Sequence, residues 1–277
     1  MHGSTQNEHF LSMKLRPDFS EEADLLLESD YVYFELGAKN AQGPVAVHSF
    51  MPEFRDLPAA CVWHRLPADV DVLALARLLP RMEAYHKKLS VSFLRLYTPF
   101  PVASAVEKLL QEARFQRRVE TGYRFKVTPP AVPSGLRFHP VCTASDWKQK
   151  TDLQALDNKQ ADGHAVSATR YVAMEREKTR SGKLHFYLCY DGLSCIGSVG
   201  WMELGTLVRF KNLYIHSTFR RQRYATRVVS GLIEMAAARQ MHTIGCFALD
   251  GEAGEGIYKG LQFDPVVKQI EWMKTLD

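Results

Sequence analysis

The sequence predicts an α/β protein with two domains, each a mixed, mostly antiparallel sheet flanked by helices. A length of 277 residues exceeds the usual single domain. The composition, 46% hydrophobic and 24% charged, is ordinary for a globular protein with a full core. Helix-period and strand-period segments occur on both sides of a proline-rich stretch, VTPPAVPSG, at residues 127–135. We therefore predict two domains, 1–130 and 131–277.

Composition argues against several classes of protein. The 35 basic and 31 acidic residues give a net charge of +4, which is too weak for a nucleic-acid binder. The five cysteines form no CxxC pair and have no histidines at zinc-finger spacing, so neither a metal site nor a disulfide framework is predicted. The N-terminus lacks a basic stretch followed by an apolar run, and no segment has the length of a membrane span. We expect a cytoplasmic protein without nucleic-acid or membrane partners.

The second domain begins with a strand, two helices and an antiparallel meander. Thr143 and Asp146 form a Thr-x-x-Asp start that suits a helix running towards residue 158. Apolar residues alternate with polar ones over 184–190, and Asp191-Gly192 is typical of a hairpin turn. The predicted elements up to this point are strand 136–141, helices 143–158 and 167–180, and strands 184–190, 194–202 and 206–216.

The strand at 206–216 changes its apolar parity midway, which predicts a β-bulge near Lys211-Asn212. After the next loop, apolar residues recur at helical spacing over 225–240. The chain then continues with a strand at 242–249, a short helix at 254–261 and a last strand at 266–273.

The first domain repeats the last elements of the second. The predicted order is helix 70–88, strand 91–97, helix 104–115 and strand 117–126, and Pro80 is expected to kink or break the first helix. Overlaying LLQEARF on IYKGLQF places Phe115 on Phe263 and Leu110 on Tyr258. The first domain therefore has no hydroxyl at the position of Tyr258. We interpret this as an ancient duplication in which the first copy is degenerate. The alternative is that a common order of elements arose twice by chance.

Two segments of the second domain resemble the GNAT N-acyltransferase superfamily. In NLYIHSTFRRQRYATRVVSGLI, Arg220 and Ala225 match the acyl-CoA motif of that family, and Arg223 replaces its usual glycine. ALDGEAGEGIYKGLQF is similar to the family's segment with a tyrosine ahead of a Leu-Gly-Phe ending, with Tyr258 in place and Gln262 where glycine is usual. The resemblance implies a tandem GNAT-like protein, with a degenerate first domain and an acyl-CoA-binding second domain.

The turn before helix 225–240 is the predicted cofactor loop. A helix that follows a tight turn presents unpaired N–H groups and the positive end of its dipole, which suits the pyrophosphate of coenzyme A. Arg223 either directs its bulk outward or contacts a phosphate. The alternative is a solvated helix start with no ligand. The candidate loop residues are Arg220, Arg221, Gln222, Arg223, Tyr224, Ala225 and Thr226. By resemblance, the backbones of Leu213, Tyr214 and Ile215 bind the pantetheine arm.

Candidate catalytic residues follow from the chemistry of thioester aminolysis. A tyrosine hydroxyl can protonate the departing sulfur, and Tyr258 is our candidate; otherwise it is a packed tyrosine. Many family members place a glutamate in the bulged strand, but here that stretch is Arg209-Phe210-Lys211. These two cations suit a substrate with a carboxylate or phosphate, or are solvated strand residues. Glu203 is the candidate base and would act through a water molecule. The alternative is that Glu203 is an ordinary surface carboxylate.

The expected function is transfer of an acyl group, most simply acetyl, from acetyl-CoA or another acyl-CoA to an amine of a small molecule or peptide. The first domain would then shape the acceptor cleft or stabilise the pair. Two alternatives stay open: a non-catalytic acyl-CoA-binding or regulatory module, and an acyltransferase whose donor is carried on a carrier protein. The oligomeric state is also open, with a homodimer as one option.

Overall fold

A computed structural model describes residues 21–129, 132–155 and 168–276. Its helices are α1 Glu21–Glu35, α2 Val72–Lys88, α3 Ser104–Glu112, α4 Ala144–Ala155, α5 Ala168–Thr179, α6 Tyr224–Ala238 and α7 Ala253–Gly260. Its strands are β1 Lys39–Gln42, β2 Val47–Phe50, β3 Cys61–His64, β4 Phe93–Pro99, β5 Gln116–Lys126, β6 Arg137–Pro140, β7 Leu184–Asp191, β8 Ser194–Leu204, β9 Leu207–Ile215, β10 Thr243–Leu249 and β11 Asp264–Thr275. Every predicted element is present, whereas α1 and β1 to β3 were not predicted.

The helix predicted from Thr143 shows how local sequence sets an element. The Thr143 hydroxyl accepts a hydrogen bond from the Asp146 N–H at 3.2 Å, and the Asp146 carboxylate accepts one from the Thr143 N–H at 2.7 Å. This reciprocal pair satisfies N–H groups that have no partner within the helix. The predicted end of this helix near residue 158 lies outside the described residues.

All eleven strands form one sheet, in the order β1-β2-β3-β4-β11-β5-β10-β9-β8-β7-β6. The last strand of each half is exchanged: β11 lies between β4 and β5, and β5 lies between β11 and β10. Each half therefore completes its sheet with a strand from the other. The division between 1–130 and 131–277, called here the N- and C-terminal halves, stays a prediction, and the hydrogen-bonded sheet is continuous across it.

Helices cover both faces of the sheet. On one side, here called the α1 face, α1, α4 and α5 pack on a cluster that includes Leu26, Phe186 and Val267. On the other side, the α6 face, two clusters lie beneath α6 with α7 and beneath α2 with α3. Amphipathic helices on both faces of a mixed sheet are the predicted α/β class.

The two halves share backbone details at the two segments that the sequence overlay aligned. Arg114 and Gln262 both adopt left-handed conformations, with φ of 66° and 61°. In each case the next residue closes the helix end, because the Phe115 N–H donates to the Leu110 carbonyl and the Phe263 N–H donates to the Tyr258 carbonyl, both at 3.0 Å. Leu110 and Tyr258 therefore occupy equivalent positions, as predicted.

Pro80 does not break α2, which was one of the two effects expected of it. The helix is continuous from Val72 to Lys88 with Pro80 inside it. Leu75 and Leu79 before the proline, and Met82 after it, are all buried against the sheet. This anchored apolar stripe outweighs the hydrogen bond that proline removes, which costs about 3 kcal/mol in an isolated helix interior.

Among residues 21–129, 132–155 and 168–276, none of the helices combines the length and apolar character that crossing a membrane requires.

Candidate functional site

Strands β9 and β10 separate to form a cleft in the middle of the sheet. Their parallel pairing is confined to Leu207–Arg209 with Thr243–Gly245. Beyond it, β9 continues along β8 to Ile215, while β10 continues along β5 to Leu249. We call this opening the β9–β10 cleft. Its apex lies just beyond the Arg209–Gly245 pair.

A bulge at Asn212 accompanies the separation, which confirms the predicted position. Gly200 pairs with Lys211, but Ser198 pairs with Tyr214, so β9 carries one extra residue. Asn212 is left-handed at φ 51°. Gly197 is needed beside the bulge, because a Cβ atom there would lie 2.2 Å from the Tyr214 carbonyl oxygen.

Buried polar groups hold the bulge from the α1 face. The Asn212 amide donates to the Glu175 carboxylate at 2.7 Å and to the Tyr33 hydroxyl at 3.2 Å. The other Glu175 oxygen accepts from the Lys150 ammonium at 2.5 Å, and both of these side chains are fully buried. Removing either charge would leave the other buried without a partner. The cleft is therefore held open by an ion pair between α4 and α5.

The cleft-facing edge of β9 offers backbone groups to a ligand. The His216 N–H donates to the Ile196 carbonyl of β8 at 2.9 Å. Because successive residues of a strand point their N–H and C=O groups to opposite sides, those of Leu213 and Ile215 face the cleft, and those of Tyr214 face β8. The side chains of these three residues are half-buried, as expected of core contacts. Leu213 and Ile215 are thus the ones that could pair with an extended ligand.

The outer end of the cleft meets the N-terminus of α6. Arg221 and Arg223 are both left-handed, at φ 60° and 61°, so Arg223 keeps the conformation that glycine favours at this position. Arg223 occupies the N-cap of α6 without a side-chain cap hydrogen bond. Both arginines are exposed, and within the described part of the chain neither forms an ion pair. The helix start therefore presents free N–H groups and positive charge to solvent.

Other loop residues are tied down by internal contacts. Arg220 donates from Nε to the Ile215 carbonyl at 3.0 Å, and Gln222 donates to the Thr218 carbonyl at 2.8 Å. The Tyr224 hydroxyl donates to Asp191 in the β7–β8 turn at 2.7 Å. Ala225 and Thr226 are half-buried in the first turn of α6. The loop is therefore anchored on both sides, with Arg221 and Arg223 directed outward.

Tyr258 lies at the apex of the cleft on the α6 face. Its ring is 7% exposed and packs with centroid distances of 5.7 Å to both Phe210 and Tyr123. Its hydroxyl is hydrogen-bonded to the thiol of Cys246, the first residue of β10 beyond the pairing with β9. Burial raises the pKa of Tyr258 well above its usual value, and the neighbouring Cys246 adds to this. The phenol therefore stays protonated at neutral pH.

Glu203 is not brought to this site. It accepts hydrogen bonds from the Trp201 indole at 2.8 Å and from Arg239 at 2.9 Å. Arg239 follows the last turn of α6, whereas the loop at Arg223 precedes its first turn. A helix of 15 residues is about 22 Å long, so Glu203 and the loop lie at opposite ends of α6.

Arg209 and Lys211 are not solvated strand residues, which corrects one of the two sequence-based interpretations. Arg209 is 2% exposed and contacts the buried Asp30 of α1 at 3.2 Å, and Lys211 contacts the same carboxylate. Burial alone would raise the pKa of Asp30, but Lys211 and Arg209 together hold it well below its usual value. Both cations are therefore paired with one carboxylate of the N-terminal half.

A buried cluster of His48, Cys61 and His86 in the N-terminal half brings three potential metal ligands together within 4.8 Å. Its hydrogen bonds favour neutral packing instead. His86 Nδ1 faces the Phe93 carbonyl at 2.6 Å, and its Nε2 accepts from the Trp63 indole at 2.8 Å. Burial raises the pKa of Cys61 to about 12, which keeps it a thiol. Both ring nitrogens of His86 are thus engaged by protein groups.

Comparison with known proteins identifies the fold. No protein-family model matches the chain, and no curated protein sequence matches it. Solved structures do, and three similar ones follow. A functionally unknown conserved protein from Staphylococcus epidermidis has a TM-score of 0.68 at 11% identity, with 87% of this chain and 96% of that one covered. A GCN5-related N-acetyltransferase from Kribbella flavida has a TM-score of 0.63 at 12% identity, covering 90% and 95%. A tandem GNAT protein from the clavulanic acid biosynthesis pathway has a TM-score of 0.55 at 12% identity, covering 83% and 79%.

These similarities show that the chain has the GNAT fold, which is the fold that the motif resemblance implied. At such low identities they establish architecture alone.

The sequence did not reveal the polar groups that surround the cleft on the α1 face. Asp30 contacts Gln269, which is 239 positions away, at 2.8 Å, and Gln269 also contacts Glu120 at 2.8 Å. No local pattern signals such contacts, because they depend on the exchange of β5 and β11 between the halves. The one available signal was the unexplained pair of cations, Arg209 and Lys211, which called for a carboxylate.

Proposed function

We propose that the protein is an N-acyltransferase that moves an acyl group, acetyl in the simplest case, from a coenzyme A thioester to an amine. The observation that carries this proposal is the β9–β10 cleft, which leads from a buried tyrosine to an uncapped helix N-terminus. A pantetheine arm resembles a short peptide, so it could pair with the cleft-facing backbone of Leu213 and with the Ile215 N–H, while the Ile215 carbonyl is held by Arg220. The pyrophosphate would then meet the first N–H groups of α6.

Each part of the cleft has a separate task in this proposal. The loop N–H groups bind the phosphates, and Arg221 and Arg223 add positive charge. Pairing with the backbones of Leu213 and Ile215 sets how far the thioester reaches into the cleft. Tyr258, protonated at the apex, supplies a proton to the departing sulfur. Its raised pKa keeps that proton available, and its burial excludes water from the reacting bond.

Isothermal titration with acetyl-CoA tests binding, and release of free thiol on a broad panel of amines tests turnover. We expect binding with one site per chain and turnover with at least one amine. Tyr258→Phe should lower kcat by about 10²- to 10⁴-fold, the usual contribution of a proton-transfer group, with the acetyl-CoA Kd unchanged. Absence of acetyl-CoA binding at millimolar concentration would contradict the proposal.

A second candidate is a non-catalytic acyl-CoA sensor, which the burial of Tyr258 favours. Its ring is packed among aromatic side chains, and its hydroxyl already has a partner in Cys246. A sensor would bind acetyl-CoA without turnover on the panel, and Tyr258→Phe would change nothing. An acyl donor on a carrier protein would use the same cleft, and would be recognised by turnover with the phosphopantetheine-loaded carrier but not with acetyl-CoA.

A further inference from the structure

Glu120 reaches the α1 face beside the cleft, although it belongs to the N-terminal half. It lies on β5, which the strand exchange inserts between β10 and β11. There it pairs with Leu249 of β10 and with Gln269 of β11. Since the cleft widens towards Leu249, Glu120 stands one strand away from its wall. Its side chain is half-buried, so it is accessible to a molecule that enters from this face.

The hydrogen-bond donors to Glu120 are neutral. Gln269 Nε2 donates to Oε2 at 2.8 Å, and the Tyr97 hydroxyl donates a long bond to Oε1 at 3.4 Å. The nearby cations are engaged by other carboxylates: Lys211 by Asp30, and Arg95 by Glu271 at 2.5 Å. In the part of the chain that the structure describes, no ion pair ends on Glu120. This carboxylate therefore retains the capacity to accept a proton.

Gln269 places a hydrogen-bond acceptor, its amide oxygen, beside Glu120. Its amide nitrogen donates to both Asp30 and Glu120 at 2.8 Å. The opposite orientation would direct the amide oxygen at two carboxylates, so this orientation is fixed by electrostatics. Gln269 is fully buried, and its Oε1 has no hydrogen-bond partner among the described residues. A buried acceptor beside a carboxylate suits a ligand that brings N–H donors, as an amine does.

The electrostatic surroundings of Glu120 make its carboxylate more basic. Burial raises its pKa, and the negative charge of Asp30 on α1 raises it further. Lys211 on β9, Arg95 on β4 and the Gln269 amide on β11 act in the opposite direction without cancelling this. Tyr97 on β4 also faces this group, through its hydroxyl. A carboxylate with a raised pKa takes a proton more readily near neutral pH than an ordinary one.

We propose that Glu120 is the general base of the reaction, contributed by the N-terminal half to the cleft of the C-terminal half. This rests on the proposed function. The neutral amine gives an N–H proton to the Glu120 carboxylate as its nitrogen forms the C–N bond to the thioester carbonyl carbon. The C–S bond breaks, and the departing sulfur takes the proton of Tyr258. Solvent then removes the proton from Glu120 and returns one to Tyr258.

The test is the pH dependence of kcat/KM for the wild type, Glu120→Gln and Glu83→Gln, each with the acetyl-CoA Kd as a check of folding. Glu83 is a matched control, because it is a half-buried carboxylate of the N-terminal half, paired with Lys274. The wild type should lose activity as the pH falls through the raised pKa of Glu120. Glu120→Gln should lower kcat/KM by about 10²- to 10⁴-fold and remove this acid limb. Glu83→Gln should retain the wild-type kcat/KM and the acid limb.

Tyr97→Phe gives a second measurement that a merely structural role would not affect. Loss of its hydroxyl removes a donor to the Glu120 carboxylate, so the acid limb should move to higher pH while the activity on the plateau is retained. Wild-type activity and an intact acid limb in Glu120→Gln would overturn the proposal, as would loss of that limb in Glu203→Gln instead. A wild type that binds acetyl-CoA but acylates no amine would overturn the proposed function and this role together. Turnover that Glu120→Gln leaves unchanged would overturn only the role.

Discussion

The N-termini of α2 and α6 occupy equivalent places in the two halves but differ in what satisfies their N–H groups. At α2 the Asp71 carboxylate accepts from the Leu73 N–H at 3.0 Å, as a helix cap does. At α6 the N-cap is Arg223, left-handed and without a side-chain cap. A phosphate would meet negative charge at α2 and positive charge at α6. The N-terminal half therefore satisfies with its own side chain a helix N-terminus that the C-terminal half leaves uncapped.

The strands before these helices differ in the same way. β3 pairs with β2 in a regular register from Cys61 to His64, and Arg65 after it is held by Glu28 and Glu35. β9 is bulged and leads to arginines that are exposed. Internal pairing of such groups can thus remove a candidate ligand site, while the order of helices and strands stays the same. Leu110 is buried at the position that Tyr258 occupies in the C-terminal half, so the N-terminal half lacks the hydroxyl that we propose as the proton donor.

The largest expected effect comes from breaking the ion pair that holds the bulge of β9, a feature for which β3 has no counterpart. Glu175→Ala leaves the Lys150 ammonium buried and unpaired, and also frees the Asn212 amide. We expect the free energy of unfolding in urea to fall by about 3–5 kcal/mol. Acetyl-CoA binding should weaken as well, since the cleft loses its support.

A matched control for this loss is the half-buried pair of Lys274 and Glu83 in the N-terminal half. Lys274→Ala should lower the free energy of unfolding by no more than about 1 kcal/mol, because solvent still reaches the half-buried Glu83 carboxylate. Equal losses in Glu175→Ala and Lys274→Ala would show that the buried pair does not support the bulge.

Most of the fold could be predicted because its signals are local. The parity change in 206–216 located the bulge that the structure shows at Asn212, and the overlay of Leu110 on Tyr258 was correct. Pro80 does not break its helix, because packing on both sides of it outweighs its intrinsic preference. The base could not be predicted from the motif of the C-terminal half. If it is Glu120, it comes from a strand of the other half, and only the exchange of strands reveals its proximity.

An intermediate effect is expected from converting the α6 N-terminus into a copy of the α2 N-terminus. Arg223→Asp places a carboxylate where we propose that phosphate binds, and it removes one positive charge. We expect the acetyl-CoA Kd to rise by about 10- to 100-fold in isothermal titration, equivalent to about 1.4–2.8 kcal/mol. Arg223→Ala should show a smaller rise, since it only removes charge.

Arg114 is the matched control for Arg223, because it is also an exposed, left-handed arginine, at φ 66°, but in the N-terminal half. Arg114→Asp should leave the acetyl-CoA Kd unchanged. If both aspartate variants weakened binding equally, general electrostatic attraction rather than a site at α6 would explain the affinity.

The smallest effect is expected at the α2 N-terminus itself. Asp71→Ala removes the cap on the Leu73 N–H, and should lower the free energy of unfolding by about 1 kcal/mol, the usual contribution of a helix cap. The same variant tests whether this cap alone prevents acetyl-CoA from binding at the α2 N-terminus. We expect titration with acetyl-CoA still to give one site per chain, because β3 lacks a bulged edge and Arg65 stays paired with Glu28 and Glu35. A second site in Asp71→Ala would mean that one side chain had closed an otherwise intact cleft.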